Sequence, residues 1–279
     1  MAAVAGMDVA GEVSGTTDIS MPQDFAPRRA VVLGASNVFR NLSTVVETAQ
    51  HAWGGPLDLL IAAGHGRSYG LWNQVLGYSV PGIERCGLWE TLDMRSPAPT
   101  AALITDVGND LLYNATPEMI LSWVKRCLER LRPCAEKIVL TELPLASVAK
   151  LSARKFTMFR TLLFPASRIT WQQTWSYAQE LNAGLLALAK NFSCQTITPQ
   201  AEWFGIDPIH LRRARTLSAW RTIFAPWCDE RPTFNATGSL THWARLRMAR
   251  VHHQRFLRFE RIAPQPAVRY ADGSSVSLY

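Results

Sequence analysis

The chain has 279 residues, of which 48% are apolar and 18% charged. That is enough to bury one full hydrophobic core and too apolar for a disordered tract. Its net charge of +7 is uneven: residues 1–210 hold 17 Lys/Arg against 18 Asp/Glu, and residues 211–261 hold 11 Arg against 3 acids, so the basic character belongs to one C-terminal region.

Residues 1–27 carry four acids, no Lys or Arg and many small side chains, and read as a mobile tail. They lack a basic start followed by an apolar run, and nowhere does the chain give about 18 uninterrupted apolar residues. The expectation is a cytoplasmic protein with no transmembrane segment. Ala30 to Leu33 is a short β-rich run ending at Gly34. Val38, Leu42, Val45, Val46 and Ala49 follow at helical spacing. Leu57 to Ala63 is a second apolar run, closed by the turn Gly64-His65-Gly66. Residues 70–95 read as helix and loop. Ala101 to Thr105 is a third run. Thr116, Pro117 and Glu118 then signal a helix start: a capping hydroxyl, a proline at the first position, an acid at the positive end of the dipole. Lys137 to Glu142 is a fourth strand, and residues 150–164 read as helical. Trp175 to Phe192 makes a long amphipathic helix, and Cys194 to Thr198 a weaker fifth strand.

Alternating β and α segments imply a parallel sheet covered by helices on both faces, a three-layer α/β/α fold. The expected organisation is a tail over 1–27, one domain over 28–226, and a basic extension over 227–279 packed on the core. Within the extension, Leu240, Ala244, Met248 and Val251 are spaced for one helix face, and 268–279 reads as a hairpin around Asp272-Gly273. The basic helix reads as a solvated face packed on the core. An anionic lipid or nucleic-acid contact is the alternative, but no nucleic-acid motif is present and none is expected as a partner. The five cysteines form no Cys-x-x-Cys pair and read as free thiols, with no metal or other cofactor implied.

Ligands of open α/β sheets sit beyond the carboxyl ends of the strands. Gly34-Ala35-Ser36-Asn37, Gly64-His65-Gly66-Arg67-Ser68, Asp106-Val107-Gly108-Asn109-Asp110 and Asp207-Pro208-Ile209-His210 all follow strands. These residue types suit acyl transfer. A serine hydroxyl needs a base to take its proton, an imidazole serves, and a neighbouring carboxylate fixes the tautomer. The reading is Ser36 as nucleophile, His210 as base and Asp207 as its orienter. Oxyanion donors would be the Ser36 N–H, the Gly66 N–H and the Asn109 amide, with Gly64 or Gly70 as alternatives to Gly66. His65, Arg67 and Tyr69 read as loop residues or substrate contacts. Trp203 and Phe204 read as core, or as an apolar wall of an acyl pocket.

The four blocks resemble those of the SGNH hydrolases, the superfamily that includes GDSL esterases and lipases. Ser36 matches the nucleophile block, Asn109 the GxND block, and Asp207 and His210 the DxxH block, in family order. Ala35 stands where many members have Asp, and Val107 where GxND has its first Gly. The resemblance implies a flavodoxin-like five-stranded parallel sheet and metal-free hydrolysis of a small-molecule ester of a lipid, an acylated sugar or the like. An acyltransferase using the same residues and a non-catalytic binding protein on this scaffold are the rival expectations.

Overall fold

A computed structural model describes residues 28–75, 77–163, 167–229 and 240–279. The expected tail, 1–27, lies outside them. In chain order the strands are β1 (Arg28–Leu33), β2 (Leu57–Ala62), β3 (Asn73–Val75), β4 (Tyr78–Val80), β5 (Thr100–Ile104), β6 (Ala135–Thr141), β7 (Gln195–Ile197), β8 (His253–Phe256), β9 (Phe259–Ile262), β10 (Val268–Arg269) and β11 (Ser275–Leu278). The helices are α1 (Ser36–Arg40), α2 (Leu42–Trp53), α3 (Leu88–Met94), α4 (Pro117–Leu131), α5 (Leu145–Val148), α6 (Ala153–Leu163), α7 (Trp171–Asn191), α8 (Thr216–Phe224) and α9 (Leu240–Met248).

The main sheet runs β10-β11-β2-β1-β5-β6-β7, parallel throughout except for β10. Its central strands β1, β2, β5 and β6 are largely apolar on both faces, as a doubly covered sheet favours. Alternation divides them between two cores: Val31, Leu33, Leu60 and Ile104 pack with α3, α4 and α7, while Ala30, Val32, Leu59 and Leu103 pack with α2 and α8. These are the three layers read from the sequence. The cap read at Thr116 holds, its Oγ1 accepting from Met119 N at the start of α4; α7 starts earlier than the pattern showed, at Trp171, opened by a Thr170–Gln173 capping box.

The sheet has seven strands, not five. The C-terminal hairpin adds its second strand in parallel to β2, pairing Val276 with Leu59 and Leu278 with Ile61. Residues 73–75 and 78–80, read as helix and loop, form two short strands instead. They belong to a second, antiparallel sheet of order β3-β4-β8-β9. Tyr78 pairs with Phe256 there, across most of the chain length. Three-residue strands carry too little alternation to announce themselves; the distant partner makes them strands. The helix α8 fills a stretch left unassigned by the sequence pattern. The cysteines are unpaired, with Cys86 and Cys127 buried. Among the described residues no helix is long and apolar enough to cross a membrane.

Candidate active site

The turn between β1 and α1 is tight. A Cβ on Gly34 would stand 2.5 Å from Val38 Cγ2 and 2.9 Å from Thr105 Cγ2, so only glycine lets the chain turn this close to β5. Ser36 then opens α1 and is buried. Its position is set by Asp106, a left-handed residue (φ 58°) just past β5. Asp106 Oδ2 accepts from Ala35 N at 3.1 Å and Asn37 N at 3.0 Å. The carboxylate thus ties down the N–H on either side of Ser36, whose own N–H meets no backbone acceptor among the described residues.

Ser36 Oγ lies 2.9 Å from His210 Nε2, and His210 Nδ1 lies 2.5 Å from Asp207 Oδ2. With Asp207 ionised, Nδ1 carries the proton and Nε2 is free to accept from the serine. Asp207 Oδ1 accepts from Ile209 N at 3.1 Å and His210 N at 3.3 Å, which folds the four-residue loop around its own carboxylate. Burial pushes the Asp207 carboxyl up, but His210 and these two N–H groups outweigh it and hold it below the usual range.

Asn37 joins the two halves. Its Nδ2 donates to Asp106 Oδ1 at 2.9 Å and to Ile209 O at 2.8 Å, and its Oδ1 accepts from Leu211 N at 2.9 Å. The serine turn and the histidine loop, more than 170 residues apart, are stapled by one amide. The sequence named Asn37 only as part of its block. Its type and its place beside Ser36 were the available signal, but a turn asparagine looks the same.

Asn109 sits in a 3₁₀ segment, Val107–Tyr113, half-buried, with no protein partner for its amide among the described residues. Gly66 follows β2 at φ 58° and its carbonyl accepts from Tyr113 Oη at 2.7 Å. Of the alternatives, Gly70 has its N–H committed to Ser68 Oγ at 3.1 Å, and a Cβ there would strike the Trp123 indole at 2.1 Å. Gly70 is thus a packing glycine. Gly64 accepts from Arg67 N. The same loop is anchored by Asp110, fully buried, which accepts from Ser68 Oγ and, at 2.9 Å, from Tyr69 N. Arg67 and Tyr69 are buried and structural: Arg67 Nη1 donates to Tyr279 O at 2.5 Å, and Tyr69 Oη to Thr105 O at 2.7 Å. His65 alone of that loop is exposed, its ring edge-on to Phe39 at 5.0 Å.

A cavity of about 150 Å³ opens beyond Asn109 and Asp207, walled by Leu143, Phe156, Trp171, Trp203 and Ile209. Trp203 and Phe204 both line it and are both buried, so packing and pocket wall are one role here.

No family model matches the chain, and neither does any curated protein. Solved structures do. An aryl esterase from M. smegmatis is 13% identical, with a TM-score of 0.47 over 71% of this chain and 96% of that one. The psychrotrophic esterase EstA from Pseudoalteromonas sp. is 11% identical, with a TM-score of 0.43 over 69% and 92%. A member of the lipolytic protein G-D-S-L family from Veillonella parvula is 10% identical, with a TM-score of 0.43 over 70% and 94%. The chain is similar in structure to esterases of the SGNH and G-D-S-L kind.

Proposed function

We propose that this chain is a serine esterase that hydrolyses a carboxylic ester through an acyl-enzyme on Ser36. The observation that carries the reading is the continuous relay from Ser36 Oγ to His210 Nε2 and from His210 Nδ1 to Asp207. As Ser36 Oγ attacks the ester carbonyl carbon, its proton passes to His210 Nε2, and Asp207 stabilises the imidazolium. The carbonyl oxygen gains charge, for which the Ser36 N–H, the Gly66 N–H and the Asn109 amide are the donors. Collapse breaks the bond to the alcohol oxygen, which takes the proton from His210. Water, deprotonated by the same imidazole, then attacks the acyl carbon and releases the acid and Ser36.

The apolar cavity beside Asn109 and Asp207 is the acyl site in this reading. A space of about 150 Å³ accepts an apolar group of roughly six carbons, since a cavity of that size elsewhere holds benzene. The test is fluorophosphonate labelling with turnover of 4-nitrophenyl esters of graded chain length. Ser36→Ala should abolish labelling and turnover while the thermal transition is retained. Labelling that survives in the variant would reject Ser36 as nucleophile.

A further inference from the structure

The α1 helix carries Ser36 at its first position and Arg40 at its last. Residues four apart share a helix face, so Arg40 stands over the serine's side of the helix, about 6 Å along the axis. A second, smaller cavity lies there. Phe39, Arg40 and Ser43 wall it from one side, Trp243 and Arg247 of α9 from the other. The Arg247 guanidinium is 5.7 Å from the Trp243 ring centroid. Next to Phe39 is His65, partly shielded on its ring side, whose pKa is lowered first by that partial desolvation and then by the charges of Arg40, His210 and Arg247. Both guanidinium groups and the catalytic imidazole are therefore within electrostatic reach of one ring.

Some arginines of the chain answer to acids, among them Arg29 and Arg95 to Asp58, Arg126 to Glu84, Arg130 to Asp93 and Arg255 to Glu260, and many others among the described residues do not. Arg40 and Arg247 have no acidic partner among the described residues. Two guanidinium groups without an acidic partner lining one concavity, at the helix that carries Ser36, make a site for an anion. The chemistry also says which part of the ester bears it. His210 protonates the departing alcohol, so the alcohol leaves on the His210 side. The acyl cavity is built mainly from α5–α8 and the loops after β5, β6 and β7, with Asn37 of α1 at its edge, and shares no residue with the basic one.

We propose that Arg40 and Arg247 bind an anionic group, carboxylate or phosphate, on the alcohol portion of the ester, and so select acidic alcohols as leaving groups. This rests on the esterase reading of Ser36 and His210. The basic C-terminal region then has a role at the site, through α9, rather than as a solvated face alone.

Two chromogenic esters with one acyl group test it: 4-nitrophenyl hexanoate, which is neutral, and 3-(hexanoyloxy)-4-nitrobenzoate, whose leaving phenol carries a carboxylate. The ratio of their kcat/KM values is the readout. In R40Q/R247Q the preference for the anionic ester should fall about tenfold or more, mainly through KM, the size expected for losing charge-assisted hydrogen bonds. R247Q alone, on a separate element from the nucleophile, should move the ratio the same way. R258Q/R261Q, which removes two exposed charges from the β8–β9 hairpin, should leave it in place. Calorimetric titration with 3-hydroxy-4-nitrobenzoate reads the anion site without turnover, and binding should be lost in R40Q/R247Q. An unchanged ratio in R40Q/R247Q, or no binding by the parent, overturns the proposal. Binding that R40Q/R247Q abolishes, with neither ester turned over, sinks the esterase reading and leaves the anion site standing.

Discussion

Asn37 shows how much one uncharged side chain can govern in a site built from distant loops. Its three hydrogen bonds hold Asp106, the carbonyl of Ile209 and the N–H of Leu211 together. His210 sits between the last two, so the imidazole inherits its position from Asn37. Asn37→Ala removes all three bonds at a buried position and frees the histidine loop to drift. A displacement of about 1 Å at a reacting group costs on the order of 10²-fold in rate. The expected result is a fall in kcat of that size with a smaller change in KM, and a modestly lower melting temperature. Asn37→Asp should be worse than Ala. It keeps the acceptor for Leu211 but sets a carboxylate against Asp106 and the Ile209 carbonyl, where both donors are lost. An Asn37→Asp protein as active as the parent would show that the staple does not position His210.

At the scale of elements, the two loops that face Ser36 from the neighbouring strands are locked to each other by Asp110. Its carboxylate, in the segment after β5, receives Ser68 and Tyr69 from the loop after β2. Burial pushes this carboxyl up to about 6 against the pull of those two donors. The folded pKa is above the unfolded one, so between about pH 4 and 6 the unfolded chain releases the proton first. The folded state then binds more protons than the unfolded, and stability falls as pH rises through that window, by roughly 3 kcal/mol at most. Asp110→Asn removes the titration whatever it does to absolute stability. Urea midpoints at pH 4, 5 and 6 should decline in the parent and lose that component in the variant; equal slopes would mean that Asp110 is ionised throughout. Elements differ in how plainly the sequence announces them. The central parallel strands are legible because doubly covered strands read as near-continuous apolar runs. Ser36, Asp207 and His210 are legible as candidates because acyl transfer restricts the residue types and the sheet restricts the places. Asp110 could be seen only as a polar residue after a strand, since its partners lie about forty positions away in a loop with no pattern of its own. The strands β3, β4, β8 and β9 are short and rich in polar residues, and their pairing partners, not their periodicity, make them strands.

Across the whole molecule, the last strand is the piece least visible in the sequence and among the most connected in the structure. The hairpin around Asp272-Gly273 is readable, but no local pattern says that its second strand docks beside β2, because strand order is a property of the assembled sheet. Once docked, β11 contributes to both layers. Val276 and Leu278 enter the core shared with α2 and α8, Tyr279 enters the opposite core, and Ser275 Oγ reaches the buried Asp58 carboxylate at 2.9 Å. Asp58 in turn holds Arg29 of β1. Beyond the strand, Tyr279 O receives the buried Arg67, in the same loop as Gly66 and Ser68. If β11 is an integral strand, its packing belongs to the global folding unit. Leu278 is 4% exposed, and Leu278→Ala should cost about 2–5 kcal/mol, the range for a buried leucine that leaves a cavity. The loss should appear as one shifted transition, identical by tryptophan fluorescence and far-ultraviolet circular dichroism. The amides of Val276 and Ser277 should exchange only through global unfolding. An appended hairpin predicts the contrary: a loss below about 1 kcal/mol, fast exchange at both amides, and an unshifted main transition. That pattern would place the boundary of the cooperative core at β2 and leave the Arg67–Tyr279 link as a surface tether.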